Sequence, residues 1–196
     1  MYNSRDPSLE KQPVACTMAL KATVYKADVS ISDLDRNYYH DHSLTLAQHP
    51  SETDERMMVR LIAFALNAGE RLEFGRGLSN EEEPALWLKS LSGEIESWIE
   101  VGHPEERRLR RACGVAERVK VYCYGERGSD VWWKQNETAF ARLKNLSVAA
   151  LQAPGIARLV QRTMRLQCTI EGGYVWLSSE DVQCEVIVNS WSSNRA

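Results

Sequence analysis

The stretch GEIESWIEVGHPEERRLRRACGVAERVKVYCYG, which runs from Gly93 to Gly125, decides the fold. Its first part alternates polar and apolar residues with the period of a strand. Pro104 then opens a helix in which acidic residues precede basic ones, and the last part alternates again. Strand, helix and strand within about thirty residues form a βαβ unit, whose strands pair in parallel through a right-handed crossover. We therefore predict that the strand at 94–101 lies parallel to the strand at 119–124.

The sequence before this unit predicts strands and one well-marked helix. A strand with alternating polarity covers about 19–31, and a second strand covers 43–47. Ser51 is a good N-cap, so a helix should begin there and stop near Gly69. Two short strands are then predicted, at 71–78 and 85–89.

The sequence after the unit repeats the pattern and then changes. A helix at about 130–143 is followed by a strand at 146–151, and from Met164 onward three alternating segments are separated by turns, the first of them Gly172-Gly173. That tail predicts an antiparallel meander. The fold class is therefore α/β (mixed α+β), with a central mixed sheet, flanking helices and a C-terminal antiparallel meander.

Composition limits the class of protein. The chain has 196 residues, of which 43% are hydrophobic and 26% charged, as expected for one globular domain. Its net charge of −3 argues against a protein wholly devoted to coating nucleic acid, but it leaves room for a local basic patch. The polar start predicts a disordered extension over 1–17 and no signal peptide. Five scattered cysteines without C-x-x-C spacing exclude a zinc ribbon and indicate the reducing cytoplasm.

The strand at 94–101 carries an unusual row of acids. One face of this strand carries Glu94, Glu96, Trp98 and Glu100. The carboxylates of that face either hold a metal ion or face water. Glu96 and Glu100 are roughly 13 Å apart along a strand. Ligands of Mg²⁺ lie about 2.0–2.1 Å from the ion, so only one of these two can be a direct ligand.

Long segments of the chain resemble a known family. They include MALKATVYKADVSISDLDR from Met18, WIEVGHPEERRLRRAC, VKVYCYG and TIEGGYVWLS, and the match runs to the end of the chain. The sequence resembles the YaeQ family, which implies a single YaeQ-like domain at 18–196 after the extension at 1–17. The resemblance also implies a fold like that of the PD-(D/E)XK nuclease superfamily, with a restriction-endonuclease-like core.

That superfamily uses a helical Glu, an Asp after a Pro on one strand, and Glu-x-Lys on the next strand. The carboxylates bind Mg²⁺ and the Lys orients the attacking water. Carried over by motif, the helical acid is Glu55 and the acid of Glu-x-Lys is Glu100. Ala85 replaces the Asp and Gly102 replaces the Lys, so both of those positions depart from the pattern.

Neighbouring residues could substitute for the missing ones. Glu83 precedes the Ala85 position, Lys89 shares its strand face, and Arg111 projects from the following helix. An arginine orients phosphate but cannot carry a proton. The resemblance thus implies Mg²⁺ as cofactor, metal ligands Glu55, Glu83 and Glu100, and catalytic residues Glu55, Glu100, Arg111 and Lys89. The plainer alternatives are a helix-start acid at Glu55, a turn acid at Glu83 and a solvated arginine at Arg111.

Two functions stay open from the sequence. The first is a Mg²⁺-dependent phosphodiesterase or nuclease, and the second is a non-catalytic nuclease-like fold that binds nucleic acid or a protein in a regulatory role. For nucleic acid, the candidate surface is Arg107, Arg110, Arg111, Arg118 and Lys120. If Glu55 and Glu100 faced each other in a cleft, their repulsion would weaken the metal-free protein. Glu100→Gln would then raise its melting temperature.

Overall fold

The computed structural model describes residues 22–76 and 82–192. Over these two ranges the chain forms three α-helices, one short 3₁₀ helix and one ten-stranded mixed sheet, which curves until it is nearly barrel-shaped. The predicted mixed α/β class is confirmed. The predicted extension at 1–17 lies outside the described residues.

The strands are β1 (Thr23–Asp33), β2 (Tyr38–Gln48), β3 (Leu72–Phe74), β4 (Leu86–Lys89), β5 (Ile95–Val101), β6 (Ala116–Tyr124), β7 (Leu146–Gln152), β8 (Thr163–Glu171), β9 (Tyr174–Ser178) and β10 (Gln183–Ser192). The helices are α1 (Asp54–Asn67), α2 (Glu106–Val115) and α3 (Glu126–Phe140), with the 3₁₀ helix at Ile156–Leu159. No helix in the described ranges is long and apolar enough to cross a membrane.

The parallel pairing predicted for the βαβ unit is confirmed. Ile95 of β5 lies opposite Ala116 of β6, and Val101 lies opposite Tyr122, while α2 makes the crossover between the two strands. β7 adds to β6 in the same direction after α3. Beyond β5, the sheet continues with β4 and then β3, both paired antiparallel.

The rest of the sheet comes from the two ends of the chain. The strand order is β2-β1-β8-β9-β10-β7-β6-β5-β4-β3. β8, β9 and β10 form the predicted antiparallel meander, and β10 then pairs with β7, which joins the meander to the parallel core. β1 pairs in parallel with β8, from Lys26 opposite Thr163 to Asp33 opposite Ile170. The first strand therefore closes onto a strand near the other end of the chain.

The sheet has an inner and an outer face. The inner face packs on α1, whose residues 57–65 are all buried, as expected for a helix enclosed by the curved sheet. The outer face is covered by α2 and α3 through residues such as Leu109 and Phe140. Strand alternation assigns the side chains: on β5, Ile99 belongs to the inner face and Trp98 to the outer face.

The ends of α1 differ from the prediction by about two residues. Thr53 is the N-cap instead of Ser51, and its side chain accepts a hydrogen bond from the Arg56 backbone N–H at 3.2 Å. The Ser51 hydroxyl is engaged with His49 Nδ1 at 2.7 Å, which keeps it from capping the helix. At the other end the helix stops at Asn67, where Arg36 donates to the carbonyl oxygens of Ala65 in the last turn and of the C-cap residue Ala68.

Candidate functional site

Glu100 is buried on the outer face and is only 4% exposed. Its Oε1 accepts a hydrogen bond from Trp98 Nε1 at 2.8 Å and another from Arg108 Nε at 2.6 Å. Arg108 lies in the first turn of α2, and its Nη2 also donates to the backbone oxygen of Glu83 at 2.7 Å. The carboxylate is therefore part of an ion pair that ties β5 to α2 and to the chain before β4.

The other acids of this row have different surroundings. Glu96 pairs with Arg71, whose Nη1 and Nη2 both lie 3.0 Å from its Oε1, near the surface. Glu94 is exposed and precedes the first residue of β5. The row of acids seen in the sequence thus divides into a buried ion pair, a surface ion pair and a solvated side chain.

The predicted metal ligands lie on different sides of the sheet. Glu55 is exposed in the first turn of α1, which packs on the inner face, whereas Glu100 points to the outer face with Trp98. Glu83 bonds to Arg76, accepting from its backbone N–H at 2.9 Å and pairing with its Nε at 3.4 Å. No group of three or more His, Cys, Asp or Glu in the described ranges could hold a metal ion. The Mg²⁺ site stays a prediction.

The two predicted basic catalytic residues have other surroundings. The Lys89 ammonium lies 3.3 Å from the centroid of the Trp87 ring, a cation–π contact. Arg111 is exposed on α2. No hydrogen bond or ion pair of the described residues joins Glu55, Glu100, Arg111 and Lys89 to one another, and their catalytic roles stay predictions.

The predicted basic surface is divided by the sheet. Arg107, Arg110 and Arg111 are exposed on α2, on the outer side. Arg118 and Lys120 alternate with outward-facing valines of β6, so both belong to the inner face, and Lys120 contacts α1 there. The five cations form two separate groups, because helix α2 and the alternation of β6 direct them to opposite sides.

One buried charged cluster was not identified from the sequence. The Glu52 carboxylate, just before α1, accepts from Arg60 Nε at 2.7 Å, Arg60 Nη2 at 2.8 Å and Arg56 Nη1 at 2.6 Å. Arg60 is 2% exposed; burial lowers its pKa, while the charge and hydrogen bonds of Glu52 oppose that effect. The available signal was an arginine inside the apolar run MMVRLIAF, with an acid eight residues before it.

A second polar group lies at Lys120 on the inner face. The Lys120 ammonium donates to Asn67 Oδ1 at 2.6 Å, and Asn67 Nδ2 donates to the Tyr122 hydroxyl at 2.8 Å. Burial lowers the pKa of Lys120, and the charges of Arg118 and Arg36 lower it further. The sequence signal was a lysine between two valines of a buried strand.

An aromatic cleft of about 540 Å³ separates the edge strands β2 and β3. The Tyr38 hydroxyl and His42 Nε2 are 2.8 Å apart, and the His42 ring meets Phe64 edge-on with centroids 5.1 Å apart. Burial lowers the pKa of His42, and the charge of His40 lowers it further. The two histidines of His40-Asp41-His42 share a face, as their spacing predicts, with ring centroids 4.9 Å apart.

Comparisons with known proteins agree with one another. The model of the YaeQ protein family matches residues 18–188. Proteins described as uncharacterized protein YaeQ from Escherichia coli (strain K12) and Shigella flexneri are each 48% identical over 177 residues, which cover 89% of this chain and 98% of theirs. The crystal structure of YaeQ from Xanthomonas axonopodis pv. citri has a TM-score of 0.85 at 45% identity, covering 88% of this chain and 99% of that one. YaeQ from Pseudomonas syringae gives a TM-score of 0.82 at 38% identity, covering 89% and 98%. The chain therefore belongs to the YaeQ family.

Proposed function

We propose that this protein binds nucleic acid on a nuclease-like fold without metal-dependent cleavage. The observation that carries the proposal is that the Glu100 carboxylate is already bonded within the protein. Its Oε1 already accepts two hydrogen bonds, one of them from the Arg108 guanidinium. A divalent ion that bound this oxygen would have to displace Arg108, and removing one partner of a buried ion pair is strongly unfavourable.

The two departures from the nuclease pattern, Ala85 and Gly102, also support a protein without metal-dependent cleavage. Ala85 is 7% exposed and packs in the inner core, where an aspartate would be a buried charge. Gly102 has φ of +99°, a conformation that is strained for lysine. The order α1, β3, β4, β5, α2, β6, with β5 and β6 parallel, supports the nuclease-like comparison of the fold.

The binding surface that the proposal favours is the exposed side of α2. Arg107 and Arg111 are four residues apart, so they project on the same side of the helix. Neither has a carboxylate within ion-pair distance among the described residues, whereas Arg110 is paired with Glu106. Two unpaired guanidinium groups one turn apart are suited to successive phosphates of a backbone.

The test measures binding of duplex DNA by fluorescence anisotropy over a range of salt concentrations. The double variant Arg107→Glu/Arg111→Glu should lose affinity, and its slope of log K against log salt should fall by about 1.8 if two phosphate contacts are lost. The control variant Arg158→Glu/Arg165→Glu makes the same change in net charge at exposed residues of other elements. An unchanged slope in the α2 variant, or an equal loss in the control, would contradict the proposal.

The second candidate is a Mg²⁺-dependent phosphodiesterase that uses Glu55, Glu83, Glu100, Arg111 and Lys89. One observation favours it: Arg108 contacts both the Glu100 carboxylate and the backbone oxygen of Glu83, so these two residues are neighbours of one guanidinium. Its test is hydrolysis of DNA and RNA with Mg²⁺ or Mn²⁺ against a chelator. Metal-dependent hydrolysis that disappears in Glu100→Gln would replace the first proposal with this one.

A further inference from the structure

The inner face of the sheet contains a cavity of about 290 Å³ beside Lys120. It lies where β6, β7 and β10 run next to one another, on the face opposite to α2. Its polar lining consists of Lys120 and the hydroxyl-bearing residues Tyr122, Ser147, Ser190 and Ser192. Among the described residues, no aspartate or glutamate lines it. The volume is close to the lower limit for small-molecule sites, so it suits one small ligand group.

Lys120 has donor capacity that the described residues leave unused. An ammonium group carries three N–H donors, and the described residues provide one acceptor, Asn67 Oδ1 at 2.6 Å. No described carboxylate lies within ion-pair distance of it. The charged groups that act on it are Arg118 and Arg36, which are both cations. A half-buried ammonium among like charges is stabilised by an anion.

Hydroxyl groups near Lys120 can also donate hydrogen bonds to a ligand. The Tyr122 hydroxyl accepts from Asn67 Nδ2 at 2.8 Å, which leaves its own proton to donate. The second proton of that amide is donated to the Ala63 oxygen at 2.8 Å. The Ser147 hydroxyl donates to the Val119 oxygen at 3.4 Å, a long bond that a ligand oxygen would have to replace. The cavity is therefore lined by one cation and by residues whose hydroxyl groups can donate to a ligand with several acceptor oxygens.

We propose that this cavity binds the phosphate group of a small phosphate monoester, with Lys120 as its counter-ion and the serine hydroxyls as donors. A phosphate monoester carries nearly two negative charges at neutral pH and three strong acceptor oxygens. Lysine is a common phosphate ligand as a point charge, and serine hydroxyls complete the hydrogen bonding. The site is separate from the exposed side of α2, so it stands or fails independently of nucleic-acid binding there.

The experiment titrates inorganic phosphate and ribose 5-phosphate into the full chain by isothermal titration calorimetry, with acetate at equal ionic strength as comparison. We expect binding of both phosphates, and a Kd at least about tenfold higher in Lys120→Met, because a charge-assisted contact is lost. Ser147→Ala/Ser190→Ala keeps the lysine and should raise the Kd about fivefold or more. Lys134→Met removes an exposed lysine of α3, on the outer side of the sheet, and should leave the Kd unchanged.

Lys120→Met should fold normally, because it removes a half-buried charge that has no ionic partner among the described residues. The circular dichroism spectrum and the melting temperature of each variant check this. Absence of phosphate binding to the wild type would overturn the proposal, as would unchanged affinity in both Lys120→Met and the serine variant. Equal binding of acetate would overturn the assignment to phosphate. Competition by an oligonucleotide without terminal phosphates, at equal phosphate concentration, would overturn the assignment to a small monoester.

Discussion

Replacing Glu100 by glutamine should destabilise the protein without any metal present. The change keeps the shape of the side chain and one acceptor oxygen, but it removes the charge that Arg108 contacts at 2.6 Å. The sequence alone predicts the opposite sign, since it assumes that Glu100 faces another carboxylate. In the structure its nearest charge is a cation, so loss of the negative charge removes attraction.

The size of the effect follows from the surroundings of the pair. The Glu100 side chain is 6% exposed and the Arg108 side chain 27% exposed, so water can replace the lost partner only in part. A hydrogen bond between charged groups contributes about 1.5–3 kcal/mol to the free energy of unfolding. For a domain of this length, about 1 kcal/mol changes the melting temperature by roughly 2–4 °C. We expect Glu100→Gln to melt about 3–12 °C below the wild type.

The assay is thermal unfolding in chelator, followed by circular dichroism. Glu96→Gln is the matched control, because it makes the same change on the same strand in a surface pair whose side chains are 44% and 22% exposed. Such a pair contributes at most about 1 kcal/mol. A melting temperature of Glu100→Gln at or above that of the wild type would refute the reasoning, and so would an equal loss in Glu96→Gln.

Two further substitutions address the buried ion pair at α1 and a partly buried histidine of β2. Arg60→Met removes the main partner of Glu52, whose side chain is fully buried, and should lower the free energy of unfolding in urea by about 3 kcal/mol; a loss below about 1 kcal/mol would contradict this. The pKa of His42 is lower in the folded protein than in the unfolded chain. Below about pH 6.5 the unfolded chain therefore binds more protons than the folded protein does. The stability that is present above that pH is lost as the pH falls. His42→Gln should therefore lose less stability than the wild type between pH 7.5 and pH 5 in urea titrations, and equal losses would argue against the assignment.

The sequence predicts the parallel core because its signals are local. The alternation of β5 and β6, the Pro104 helix start and the crossover rule all act within one continuous stretch. The pairing of β1 with β8 has no local signal, since Lys26 and Thr163 are brought together only by the closing of the sheet. The predicted start of α1 at Ser51 is wrong by two residues because Ser51 and Thr53 are both good caps, and in the structure Ser51 bonds to His49 while Thr53 caps the helix.

The candidate site was predicted only in part, for a similar reason. Alternation correctly placed Trp98 and Glu100 on one face, but it does not show what covers that face. The relevant signal was on α2, where Arg108 precedes the buried Ala112 by four residues and so shares its side, whereas Arg107 and Arg111 do not. For Lys120, the period of a strand gives the face, but the cavity beside it depends on β7 and β10, which are distant in sequence.

The pairing of β1 with β8 affects how the chain folds while it is being synthesised on the ribosome. Synthesis proceeds at about 5–20 residues per second, so roughly 7–27 s pass between the emergence of Lys26 and that of its partner Thr163. α1 follows β2 closely along the chain and can cover the apolar side of the first hairpin early. The backbone edge of β1 has no partner in that interval, and an open edge can pair with other nascent chains. Completion of the sheet is a late event, and a chain interrupted before Thr163 retains that open edge.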